Sequence, residues 1–209
     1  MYKKKSLFVT FEGIEGSGKS YQSLKLYKNL TKKNIPVILT REPGGTTTGE
    51  RIRAILLDIE EKEMTAMTEL LLIFAARRQH IEQVIEPALA SGIWVISDRF
   101  TDSSYAYQGG GRQLGEHSVA ELEGYVLGDF SPDLTIILDL DVSTGLARAS
   151  AGIDADRFET EQRDFFERVR QVFLDRASGD NYRVIDTSQT IDQVHAEIRQ
   201  VIGAFCHEV

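Results

Sequence analysis

The chain is poor in the residues that build disulfide or metal frameworks. Cys206 is the only cysteine among 209 residues, so an intrachain disulfide and a cysteine-based zinc site are both excluded. That scarcity suits a reducing compartment, and the cytoplasm is the expected location. No long apolar run exists: a membrane span needs about 18 or more such residues. The run after Met1-Tyr2-Lys3-Lys4-Lys5 covers only Leu7 to Phe11 and ends at Glu12, too short for a signal segment. Positive charge is also in deficit, with 24 Lys and Arg against 32 Asp and Glu, a net of −8. Nucleic acid and anionic membranes are therefore not expected partners. An anionic ligand would need a local cluster of donors. The four histidines are scattered and show no metal spacing, and four prolines form no linker.

Five short apolar stretches remain: Leu7–Phe11, Val37–Thr40, Ile93–Ser97, Leu134–Leu140 and Tyr182–Ile185. They are rich in Val and Ile and do not alternate with polar residues, as in parallel strands buried on both faces. Helical patterns separate them, at Ser20–Lys32, Glu50–Ile59, Thr68–Ala90, Ser118–Leu127, Thr160–Ala177 and Ile191–Phe205. The predicted fold is α/β, a doubly wound five-stranded parallel sheet flanked by helices, in one domain over 1–209. Ligands in such folds sit at the carboxyl ends of strands. Here those ends carry Glu12, Arg41-Glu42-Pro43, Asp98-Arg99, Asp139/Asp141 and Asp186. Residues 149–156, ASAGIDAD, read as a flexible loop.

Gly13-Ile14-Glu15-Gly16-Ser17-Gly18-Lys19-Ser20 fits G-x-x-x-x-G-K-[ST] between a strand and a helix. Its backbone N–H groups and the helix N-terminus would cradle phosphates. Lys19 would reach the β- and γ-phosphates, and Ser20 would hold Mg²⁺. Asp98 ends an apolar strand and is the second candidate for the metal. The expected cofactor is thus Mg²⁺ with ATP. A guanine-specific Asn-Lys-x-Asp and an ABC-type Ser-Gly-Gly-Gln are both missing, which leaves small kinases with a second, arginine-lined anion site.

Three further runs carry the basic residues of such a site: Thr40-Arg41-Glu42-Pro43-Gly44-Gly45-Thr46, Asp98-Arg99-Phe100-Thr101-Asp102-Ser103-Ser104, and Tyr107-Gln108-Gly109-Gly110-Gly111-Arg112. Together with the P-loop they resemble bacterial thymidylate kinase over nearly the whole chain. The resemblance implies phosphorylation of dTMP by ATP and Mg²⁺, in a homodimer. It implies that Arg99 contacts both the monophosphate and the transferring phosphoryl, with Glu12 organising the acceptor side. It places Arg53 on the dTMP phosphate, Pro43 and Ser103 at the acceptor, Ser104 and Gln108 on the thymine edge, and Tyr107 against the sugar 2′ position.

On the helix after residue 68 the family has Phe-x-x-x-Arg at the base. Here Arg77 takes the arginine place and Ile73 the stacking place, while Phe74 and Arg78 have the same spacing one residue on. One residue turns a helix by about 100°, so only one pair faces the ligand. Ile73/Arg77 is the favoured pair, with Phe74 as the alternative. The resemblance also implies a lid, about 148–158; here it carries only Arg148 and Arg157, and Ser150 and Gly152 stand where related bacterial enzymes often have basic residues. Arg157 becomes the candidate for the transition-state charge and Arg148 for the adenine or phosphates, beside Thr187-Ser188-Gln189. Another P-loop nucleotide or nucleoside kinase, or a nucleotide switch, remains an alternative reading.

Overall fold

The computed structural model describes residues 6–149, 157–158 and 161–208. Five strands, β1 (Phe8–Glu12), β2 (Val37–Arg41), β3 (Trp94–Asp98), β4 (Leu134–Asp139) and β5 (Tyr182–Asp186), form one sheet in the order β2-β3-β1-β4-β5. Every pairing is parallel. β1 lies at the centre, and its residues are buried on both faces. Phe8 faces one core layer, while Val9 and Phe11 face the other, as the two-residue period of a strand requires. Between them Thr10 Oγ1 donates to Thr135 Oγ1 at 3.1 Å and so satisfies a buried hydroxyl.

Helices cover both sides. α1 (Lys19–Lys32) and α9 (Ile191–Glu208) pack on the Val9/Phe11 face through Leu26, Leu30, Val194 and Ile198. α3 (Ala66–His80) covers the other face through Leu70 and Phe74. It continues through a π-helical turn, Ile81–Ile85, into α4 (Glu86–Ala90), so the predicted helix over 68–90 is one rod with a bulge. Thr65 caps it by accepting from Thr68 N–H. α2 (Thr47–Leu57) precedes α3 and ends two residues earlier than the periodicity suggested.

Two elements escaped the sequence pattern. Residues 101–111 are helical, as α5 (Thr101–Ser104) followed by a π-helical stretch, Tyr105–Gly111. Three glycines conceal it, yet they serve packing: a Cβ on Gly111 would lie 2.5 Å from the Phe165 ring on α8 (Arg163–Arg176). α6 (Glu116–Leu127) follows. α7 (Val142–Ala149) runs where the lid was expected to begin. Asp141 accepts from Thr144 N–H at its start. Most of the expected lid, residues 150–156, lies outside the described residues. No helix among the described residues is long and apolar enough to cross a membrane.

Candidate active site

A cavity of about 340 Å³ opens at the carboxyl ends of β1, β2 and β3. Its walls bring together groups from seven separate chain segments, among them Lys19, Ser20, Pro43, Arg53, Arg77, Asp98 and Arg99.

The P-loop forms the first wall. Gly16 has φ 71°, and a Cβ there would lie 2.1 Å from the Gly145 carbonyl oxygen, so only glycine fits. The loop holds its lysine back: Lys19 Nζ donates to the Ile14 carbonyl at 2.7 Å. Burial, with Arg99 nearby, lowers the Lys19 pKa to about 8. Ser20 Oγ donates to Asp98 Oδ2 at the same end of the sheet. That pair of oxygens is a hard-donor set, and no cluster of three or more His, Cys, Asp or Glu accompanies it among the described residues. Such a set fits Mg²⁺, which keeps most of its ligands as water and phosphate oxygens.

Arg99 is the centre of the second wall. It follows β3, beside the central strand, with φ 74°, a conformation that costs an arginine about 1 kcal/mol or more. Its side chain compensates. Nη2 donates to Glu15 Oε1 at 2.8 Å and to Tyr107 Oη at 3.0 Å, while Nη1 donates to Ser103 Oγ at 3.0 Å and to the Gly13 carbonyl at 3.2 Å. Tyr107 Oη also donates to Glu15, at 2.6 Å. Glu15 thus does more than shape the P-loop: its carboxylate ties the donor wall to the acceptor wall.

Glu12 differs from its expected place. It does not line the cavity but lies fully buried below it, accepting Phe100 N–H at 2.7 Å and Ser103 Oγ–H at 2.6 Å. Burial, reinforced by Asp102, raises its pKa to about 7. It is linked to the cavity through Ser103, whose hydroxyl also accepts from Arg99.

The third wall is α3. Ile73 and Arg77 line the cavity, whereas the Phe74 ring lies in the core at 1% exposure, beneath the Arg77 guanidinium at 4.6 Å. The alternative pair therefore faces elsewhere: Arg78 is exposed and pairs with Glu82. Arg77 is fixed by Glu42 Oε2 at 2.7 Å, Ser104 Oγ at 3.0 Å and the Phe100 carbonyl at 2.9 Å. His80 and Thr40 extend the chain, with His80 Nδ1 3.0 Å from Glu42 and Nε2 2.7 Å from Thr40 Oγ1. Burial alone would push the Glu42 carboxyl up, but Arg77 and His80 outweigh it and hold it low. This buried network was not found by sequence reading, although Glu42 lies inside the run 40–46 quoted above and His80 follows Arg77 by three residues. Gln108 and Tyr107 stand one helical turn from Ser103 and Ser104, which puts all four on the cavity side. Arg41, the basic residue of the first run quoted above, lines it as well; Leu57, Phe100 and Phe158 also line it and were missed as site residues.

Arg53 reaches the cavity and donates to the Pro43 carbonyl at 3.0 Å. The two lid arginines part company. Arg148 donates to the Thr187 carbonyl at 3.3 Å, beside the loop expected for adenine. Arg157 donates to the Leu56 carbonyl at 2.9 Å and pairs with Glu69, on the acceptor side rather than at the P-loop.

A parallel sheet with a P-loop at its centre, facing an arginine-lined second pocket, defines a small-molecule phosphotransferase of the P-loop kinase class. Comparison narrows the class. The thymidylate kinase family profile matches residues 11–198. The thymidylate kinase of Ectopseudomonas mendocina is 56% identical over 194 residues, covering 92% of each chain. That of Vesicomyosocius okutanii is 51% identical over 199 residues, 94% of this chain and 97% of its own. The crystal structure of thymidylate kinase from Ehrlichia chaffeensis superposes with a TM-score of 0.78 at 35% identity, covering 94% of this chain and 98% of that one. The chain belongs to the thymidylate kinase family.

Proposed function

We propose that this cavity transfers the γ-phosphoryl group of ATP to dTMP, giving dTDP and ADP, with Mg²⁺ as the metal, in a single domain over 1–209. The observation that carries the reading is the continuity of one cavity from Lys19 and Ser20 to Arg53, Arg99 and the Ile73/Arg77/Gln108 wall. The P-loop amides of Gly13, Ile14, Glu15, Gly16, Ser17 and Gly18 hold the donor phosphates, and Lys19 exchanges its bond to Ile14 for the β- and γ-oxygens. Ser20 and Asp98 would hold Mg²⁺, which when bound neutralises charge on the phosphates. Arg53 and Arg99 bind the acceptor phosphate. A phosphate monoester is largely dianionic at neutral pH, its second pKa being about 6, so its oxygen attacks without a general base. Arg99, between the two anion sites, balances charge on the moving phosphoryl. Ile73 and Arg77 meet the base, Ser104 and Gln108 its edge, and Tyr107 crowds the 2′ position, which disfavours ribonucleotides.

ADP release with dTMP, dUMP, dCMP and thymidine as acceptors tests the assignment. dTMP should be preferred by far; preference for dCMP or thymidine would favour another P-loop kinase.

Phosphate binding should also return Lys19 from about 8 toward its ordinary 10.5. ATP binding near pH 9 should then take up protons, which calorimetry in buffers of different ionisation enthalpy would read. No uptake there would contradict the contact.

A homodimer and a cytoplasmic location belong to the same proposal. On α2 and α3, Ile55, Met67 and Leu71 are 44%, 41% and 50% exposed, an apolar surface suited to a second copy. Sedimentation should give a dimer at micromolar concentration, and Leu71→Arg should shift it to monomer.

A further inference from the structure

Glu69 on α3 is fully buried, yet no motif marked it. Its carboxylate gathers three side chains from three segments. Gln108 Nε2 donates to Oε1 at 2.7 Å. Arg112 Nε lies 3.3 Å from both oxygens. Arg157 Nη2 closes on Oε2. A buried carboxylate flanked by two guanidinium groups accepts hydrogen bonds and donates none.

That chemistry constrains the glutamine. An amide has a donor end and an acceptor end, and only the NH₂ end can face a carboxylate. Gln108 lines the cavity, so the end left for the ligand is its carbonyl oxygen. Arg77, on the same wall, offers only donors. The cavity lining thus carries an acceptor, the Gln108 carbonyl, and donors on Arg77 beyond the three already bonded to Glu42, Ser104 and the Phe100 carbonyl. A pyrimidine with a ring N–H next to a carbonyl matches this pair. Cytosine, with a bare ring nitrogen next to an amino group, presents the opposite pattern and would leave buried groups unpaired.

We propose that Glu69 is a positioning residue for base selection: it orients the Gln108 amide so that the site accepts thymine or uracil and rejects cytosine. The inference rests on the proposed dTMP kinase reading of the cavity. Arg112 and Arg157 hold the carboxylate in place, so the same group also couples the base wall to the segment carrying Arg157.

The test is Glu69→Gln in the full chain, with kcat/KM measured for dTMP and dCMP and KM measured for ATP. The neutral amide lets Gln108 turn. The dTMP-to-dCMP preference should fall by about tenfold or more, since discrimination of this kind depends on buried polar groups having complementary partners. The ATP KM should stay within about twofold of the wild type. A merely structural role would lower both acceptors together and leave their ratio unchanged, and that result overturns the inference. Glu69→Asp, which keeps the charge but withdraws the acceptor, provides the same reading if the glutamine variant folds poorly. Its ratio should fall too, and an unchanged ratio there counts equally against the proposal. Wild-type protein without dTMP kinase activity would overturn the functional reading and this inference with it. An active wild type with unaltered variant ratios overturns the inference alone.

Discussion

Arg99→Ala is expected to lower turnover by ~10³–10⁵-fold, the scale set by arginines that balance the charge of a moving phosphoryl group. Arg99 is held between the P-loop and the acceptor pocket by Glu15, Ser103 and the Gly13 carbonyl, in a backbone conformation arginine rarely adopts. Strain retained at such a point marks a position set by function rather than by packing. Arg99→Lys keeps the charge but loses the planar two-pronged donor, so recovery should be partial. The companion variant is Arg157→Ala. The arginine count of the lid made Arg157 the first candidate for this role, but its guanidinium is bonded to the Leu56 carbonyl and Glu69. Its loss should cost less than about tenfold in turnover. Single-turnover rates at saturating ATP and dTMP decide between them. A small loss at Arg99 and a large one at Arg157 would reverse the assignment.

Lys19→Ala should lower turnover by ~10²–10³-fold or more, because a preorganised donor aimed at developing charge is lost. Its effect on folding should have the opposite sign from an ordinary core deletion. A lysine whose folded pKa is about 8, below its ordinary 10.5, opposes folding wherever the unfolded chain keeps it protonated. That opposition is complete below about 8 and fades toward 10.5. At pH 7 the variant should therefore melt no lower than the wild type. Thermal unfolding beside a steady-state assay measures both. A lysine-free P-loop with near-normal turnover would remove the phosphate role from this loop.

The parallel sheet was legible because the central strands β1, β3 and β4 are nearly continuous apolar runs. The edge strands β2 and β5 are only partly buried, so the expected burial on both faces holds at the centre alone. Each observed strand lies within a residue or so of its expected span. The P-loop was legible from its motif spacing, whereas Arg53, Arg77 and Arg99 were placed by the resemblance to the family, and all three line the cavity. Ile73 against Phe74 was decided by tertiary packing: the ring fills the core under Arg77, which no local spacing specifies. Glu12 was read as facing ligand because it ends a strand, yet the start of α5 folding over it turns it into a buried anchor for Phe100 and Ser103. The helical stretch that follows α5 was hidden by Gly109, Gly110 and Gly111; the last two make room for α8, while Gly109 lies against Val119 of α6. The Glu42–His80–Thr40 chain and the Glu69 cluster join residues far apart in sequence, so their pairing appears only in the fold.

The central claim is that one phosphoryl group passes directly between two anion sites in a single cavity. Incubating the protein with magnesium, dTMP and ATP labelled at the γ-phosphorus tests it most directly. The account predicts that the label appears in the β-phosphoryl group of dTDP, in step with ADP. Label released as inorganic phosphate, or retained on the protein, would contradict it.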